Sequence, residues 1–124
     1  MNVVDSSGWL EYFTEGGNAD SFAPAIEDTG NLLVPVICLY EVFKRVTQER
    51  GLSAAQTNIN DMHEGQLIDL NASLALSAAQ ISIDLKLPMA DSIILATARA
   101  YDAILWTQDE HFKGLDGVKY IAKV

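Results

Sequence analysis

Short apolar runs alternate with longer mixed segments along the whole chain. Five of the short runs are β-prone: Asn2–Val4, Leu32–Val34, Gln66–Leu70, Ala103–Trp106 and Val118–Ile121. Runs this short, separated by helical stretches, predict buried parallel strands rather than an antiparallel meander. The helical segments carry their own start and stop signals. Ser6 or Ser7 can cap a helix running to about Thr14, and a second short helix spans about Asp20 to Asp28. Pro35 opens a longer helix from Val36 to about Arg50, which Gly51 stops. Ser53-Ala54-Ala55-Gln56 has the form of a capping box and predicts a helix start there, ending near Glu64. Asn71 caps an alanine-rich helix that ends near Leu85, ahead of Pro88, and Met89 to Tyr101 forms the last helix. The expected fold class is α/β, with a central parallel sheet of about five strands and helices on both faces. Without repeats, low-complexity tracts or linkers, residues 1–124 read as one domain.

Composition narrows the function classes. The chain has 124 residues, 49% hydrophobic and 20% charged, which fits a packed core and excludes a disordered or membrane-embedded chain. Its apolar runs are too short to span a bilayer, and the N-terminus has neither the basic nor the long apolar region of a signal peptide. The single cysteine, Cys38, lies in an apolar run and reads as a buried small hydrophobe. A cytoplasmic protein is expected. Eight Lys+Arg against seventeen Asp+Glu give a net charge of −9, the wrong sign for holding nucleic acid by simple neutralisation. A phosphate-bearing substrate would need local basic residues or bound cations, whereas a basic protein partner is easily accommodated.

Chemistry in a parallel sheet gathers at the carboxyl ends of strands, and of four acidic residues two directly follow strand ends while two lie near the starts of helices that follow strands or tight turns. Asp5 directly follows the first strand, where a plain helix N-cap is the alternative account. Glu41 sits inside the Val36–Arg50 segment, where an exposed Glu41–Arg45 pair would explain it without function. Asp91 lies in the first turn of a helix with no other charge until Arg99, and a helix apolar nearly all round is a buried one. A carboxylate there is costly unless it is paired or binds a cation, although the helix dipole also favours it. Asp109 follows the fourth strand and Thr107, again with a cap as the alternative. With the first strand central, all four reach one cleft. Crowded carboxylates make sense only around a cation or with shifted pKa values, and oxygen donors suit Mg²⁺ or Mn²⁺ rather than Zn²⁺.

The series Val-Val-Asp5-Ser-Ser, Tyr-Glu41-Val, Leu-Pro-Met-Ala-Asp91-Ser-Ile-Ile-Leu-Ala-Thr-Ala and Trp-Thr107-Gln-Asp109-Glu-His-Phe resembles PIN domains over essentially the whole chain. It is most similar to the VapC-type toxins of toxin–antitoxin pairs. The resemblance implies a three-layer α/β/α fold and Mg²⁺- or Mn²⁺-dependent endonucleolytic cleavage of RNA. Asp5, Glu41, Asp91 and Asp109 would then be the catalytic, metal-binding carboxylates, with Thr107 and Ser6 supporting them by hydrogen bonds. It also implies a cognate antitoxin as partner and a homodimer. Trp9, Tyr12 and Phe13 are candidates for either interface, and core packing explains Trp9 and Phe13 equally well. Lys44, Arg45, Lys86 and Arg99 are candidates for contact with RNA backbone. One departure stands out: many relatives carry a further Asp where this chain has His111, which reads as a surface residue here.

Three other readings compete. An aspartyl-phosphate phosphotransferase commonly places a second Asp two residues after the first, and here that position is Ser7. A phospho-receiver module wants an acidic pair after the first strand and an acceptor Asp after the third, whereas Asp69 lies inside the third β run. The stronger alternative is a catalytically silent PIN-like scaffold that keeps the fold and only binds a partner.

Overall fold

A computed structural model describes all 124 residues. Five strands, β1 (Asn2–Val4), β2 (Leu32–Pro35), β3 (Gln66–Ile68), β4 (Ile104–Thr107) and β5 (Val118–Tyr120), form one all-parallel sheet in the order β3-β2-β1-β4-β5. Six helices flank it: α1 (Ser6–Phe13), α2 (Ala19–Glu27), α3 (Val36–Arg50), α4 (Leu52–Met62), α5 (Ala72–Leu85) and α6 (Met89–Ala100). The result is the expected three-layer α/β/α arrangement with the first strand in the middle.

Burial explains the strand composition. Val3, Val4, Leu33, Val34 and Leu105 are essentially inaccessible, because the central strands have protein on both faces. The chain builds β1, β2 and β3 to one side, then returns to place β4 and β5 on the other. The change of direction falls between β1 and β4, whose register pairs Asn2 with Ile104, Val3 with Leu105 and Val4 with Trp106. Ligand clefts in open α/β sheets form beyond the carboxyl ends of strands at such a point.

Local signals hold in part. Asn71 caps α5, its Oδ1 accepting from the Leu74 N–H at 2.8 Å, and Pro35 precedes α3 as expected. Of the candidates for the cap of α1, Asp5 takes the place rather than Ser6 or Ser7, in keeping with the N-cap account of Asp5, with its carboxylate accepting the Gly8 N–H at 3.2 Å. One start differs from expectation. Helix α4 begins at Leu52, so Ser53 lies within its first turn and the capping box does not form. Gly51, at φ +91°, both ends α3 and precedes α4, leaving no room for a separate cap residue. The third strand stops at Ile68, two residues earlier than its apolar pattern suggests. As an edge strand it pairs only with β2, and Asp69 and Leu70 are exposed.

Gly8 lets α1 come close to the sheet. A Cβ there would stand 2.6 Å from Val4 Cγ1 and 2.8 Å from the buried Phe22 ring. The helix-propensity gain of alanine is therefore outweighed by overpacking. Gly8→Ala is expected to lower stability by about 1–3 kcal/mol, read from urea denaturation midpoints. Gly30→Ala, which meets nothing within 4 Å, should leave the midpoint nearly unchanged.

Candidate metal centre

The end of β1 is joined to β4 by the Asp5 N–H, which donates to the Trp106 carbonyl at 3.1 Å. This holds Asp5 at the strand boundary with its side chain only 2% exposed. Two donors reach its carboxylate, the Ser7 hydroxyl at 2.7 Å and the Gly8 N–H at 3.2 Å, and the nearby Thr107 hydroxyl also favours its charged form. Burial nonetheless dominates and raises the Asp5 pKa from 3.8 to about 7, with the negative charge of Asp109 adding to the rise.

Thr107 is fully buried at the end of β4, where its Oγ1 also accepts the Asp109 N–H at 2.9 Å. One hydroxyl thus ties the two acidic residues that follow adjacent strands. Asp109 then caps a 3₁₀ turn at Glu110–Phe112, its Oδ1 accepting the His111 N–H at 3.0 Å. Phe112, fully buried, pins the turn to the core.

Asp91 arrives from the other direction. Ser92 through Ala98 of α6 are all buried, so the helix is the core element its sequence suggests, and Asp91 stands in its first turn. Burial raises the Asp91 pKa, and its hydrogen bond to His111 opposes that rise. The His111 ring Nδ1 lies 2.8 Å from Asp91 Oδ2 and 3.4 Å from Asp109 Oδ1. The bond to Asp91 raises the His111 pKa. Donor atoms of Asp91, Asp109 and His111 all lie within 4.8 Å of one another, close enough to share one cation.

Glu41, on α3, is held differently. Its Oε1 accepts from the Ser6 hydroxyl at 2.6 Å, across thirty-five residues of sequence. Arg45 turns away and pairs with Glu49 at 2.6 Å, so the surface pair proposed for Glu41 is absent. Ser6 is thus bonded to Glu41, and Thr107 to the Asp109 N–H beside Asp5. Cys38, one helical turn before Glu41, packs its sulfur 3.8 Å from the Val4 carbonyl, and burial pushes its thiol far above the usual range. It offers no nucleophile.

The basic residues divide. Lys44 and Arg45 line a hollow of about 410 Å³ that also contains Ser6 and Glu41. Arg99 occupies the last turn of α6, at the opposite end from Asp91, and Lys86 closes α5. Arg50 and Lys123, not singled out from sequence, join Arg45, Ser7 and Gln108 around an adjoining hollow of about 370 Å³. Trp9 is 1% exposed and stacks on Phe13, which makes it a core residue rather than an interface one.

A family model for the PIN domain matches residues 3–118. The chain belongs to the PIN-domain family. Solved structures share the PIN fold over nearly all of its length. A toxin–antitoxin complex from Klebsiella pneumoniae has a chain 20% identical, covering 100% of both chains at a TM-score of 0.83. A VapBC complex from Rickettsia felis bound to a promoter DNA fragment has one 16% identical, covering 98% of this chain and 97% of that one at 0.77. A VapC toxin from Mycobacterium tuberculosis described as cleaving the sarcin–ricin loop is 13% identical, covering 83% and 85% at 0.70. No curated protein sequence matches significantly. No helix of this PIN domain is long and apolar enough to cross a membrane.

The raised Asp5 pKa sets a pH dependence. The folded chain holds that proton more tightly than the unfolded one, so its contribution is fully present below about pH 4 and is lost as pH rises through about 7. In EDTA, wild type is expected to lose melting temperature between pH 5 and 8.5, and Asp5→Asn to lose roughly 5–10 °C less. Differential scanning calorimetry of both proteins checks the difference.

Proposed function

We propose that this PIN domain is a divalent-metal-dependent endoribonuclease acting as the toxin of a toxin–antitoxin pair. The observation that carries the reading is the convergence of Asp91 and Asp109 donor atoms within 4.8 Å, with the buried Asp5 close enough to feel the charge of Asp109 and Glu41 bonded to the adjoining Ser6. A carboxylate as buried as Asp5, close to the charge of Asp109, is accommodated by a cation or by a proton. The donor set is mainly hard oxygen, which fits Mg²⁺ or Mn²⁺. The similar toxin from Mycobacterium tuberculosis, described as cleaving the sarcin–ricin loop, supports the same class.

In this reading Asp5, Glu41, Asp91 and Asp109 hold the metal, which when bound lowers the pKa of water and offsets phosphodiester charge. Thr107 fixes Asp5 and Asp109 in mutual register, and Ser6 aims Glu41. Lys44, Arg45, Arg50 and Lys123 supply the local positive charge that the −9 chain otherwise lacks, on the two hollows flanking the start of α1. The acidic remainder suits a basic antitoxin, and the cytoplasm is the compartment where such a pair would work. A homodimer belongs to the same proposal.

Purified protein is expected to cleave structured RNA with Mn²⁺ or Mg²⁺ and to stop in EDTA. Folded Asp5→Asn and Asp91→Asn variants should each lose roughly a thousandfold in rate, since metal stabilisation is worth several kcal/mol. Gel-resolved cleavage and metal titration together check it. Wild type that neither cuts nor binds metal would instead identify a silent scaffold.

A further inference from the structure

We propose that His111 is itself a metal ligand, completing with Asp91 and Asp109 a mixed nitrogen–oxygen site that selects a first-row transition ion such as Mn²⁺ over Mg²⁺. This rests on the metal-centre reading above and adds to it a donor and a preference.

The three residues bring donor atoms close enough to surround one ion, once the proton that the His111 ring shares with Asp91 is displaced. In an octahedral shell with bonds of about 2.1 Å, neighbouring donors stand about 3.0 Å apart. The His111 Nδ1 lies 2.8 Å from an Asp91 oxygen and 3.4 Å from an Asp109 oxygen. Its ring is aimed by the backbone: the His111 N–H donates to Asp109 Oδ1, and the Asp109 N–H donates to Thr107 Oγ1. The 3₁₀ turn therefore presents Asp109 and His111 together toward the first turn of α6. His111 is also the most exposed of the three, at 56% against 31% for Asp109 and 15% for Asp91. The imidazole thus stands at the mouth of the cleft, able to adjust as an ion enters.

The chemistry sets the preference. Imidazole is a borderline donor whose affinity increases along the first-row series, and it adds little for Mg²⁺, which prefers oxygen and sheds water reluctantly. An Asp at this position would complete an all-oxygen set. The competing role is a counter-cation, in which the protonated ring satisfies two carboxylates and metal must displace it. The two roles make opposite predictions. A ligand strengthens metal binding, so its removal weakens it. A counter-cation competes with metal, so its removal strengthens it.

Isothermal titration with Mn²⁺ and with Mg²⁺, on wild type, His111→Ala and His111→Asp, separates them. Electron spin-echo spectroscopy of the Mn²⁺-loaded proteins reports bound nitrogen directly. The chain has one other histidine, His63, whose ring faces the Ile59 carbonyl at the end of α4. Wild type is expected to show nitrogen coupling that His111→Ala lacks. Because losing an outer-shell partner already costs about tenfold or more, His111→Ala should weaken Mn²⁺ by at least about tenfold and Mg²⁺ by less. His111→Asp should narrow the gap between the ions. Mn²⁺ binding without nitrogen coupling, or equal or tighter binding by His111→Ala, overturns the ligand role and leaves the carboxylate site standing. Absence of any metal binding by wild type overturns both.

Discussion

The constraint on which this structure turns is the cost of placing a carboxylate inside it. Asp5 sits where the central strand ends, between two parallel neighbours, almost wholly out of water. A charge so placed must be compensated, and the surrounding elements do so in concert. Gly8 gives up a side chain so that α1 can approach and offer its N–H. Ser7 turns its hydroxyl inward, and Thr107 arrives on the adjacent strand at the register set by Val4 and Trp106. The hydrogen bonds from Ser7 and Gly8, with Thr107 nearby, offset only part of the desolvation, and the pKa of Asp5 is raised. A cation or a proton would offset the remainder.

The sheet order explains why that deficit is shared rather than isolated. Because β1 lies between β2 and β4, the segments leaving all three strands open toward the same end. α3 follows β2 and brings Glu41 to Ser6, and the turn after β4 brings Asp109. α6 contributes Asp91 from its amino-terminal turn, where the helix dipole favours a negative charge. Asp91 and Asp109, which reach the site from different elements, thus come within a few ångströms of each other, while basic residues remain on the flanking hollows.

Much of the fold was legible in the sequence because buried parallel strands and capped helices leave strong local marks. Asn71, Pro35 and Gly51 each sit at a helix boundary, and the apolar character of Ser92–Ala98 correctly marks a core helix. Misread features are those where tertiary context overrides a local pattern. Ser53 has the residues of a cap, yet the one-residue link at Gly51 gives the helix start to Leu52. Gln66–Leu70 is β-prone throughout, yet its edge position ends pairing at Ile68. The site divides likewise. Asp5, Asp91 and Asp109 stand out by position, but Glu41 could be distinguished from a surface ion pair only by seeing Arg45 turn to Glu49. His111 gave one signal, its place two residues after Asp109, and nothing local reveals that Asp91 faces it.

The contrast between α6 and the turn at Glu110–Phe112 has a consequence for how the site holds together in time. Asp91 stands on a helix whose next seven residues are buried, a segment that opens only with the core. Asp109 caps, and His111 belongs to, a three-residue turn whose one buried member is Phe112, with the buried Thr107 holding the Asp109 N–H from the strand side. The candidate donors are therefore split between a helix embedded in the core and a short turn at its edge. A local opening of that turn would disperse them while the domain stayed folded, so the assembled site is expected to come apart at a lower free-energy cost than the fold itself.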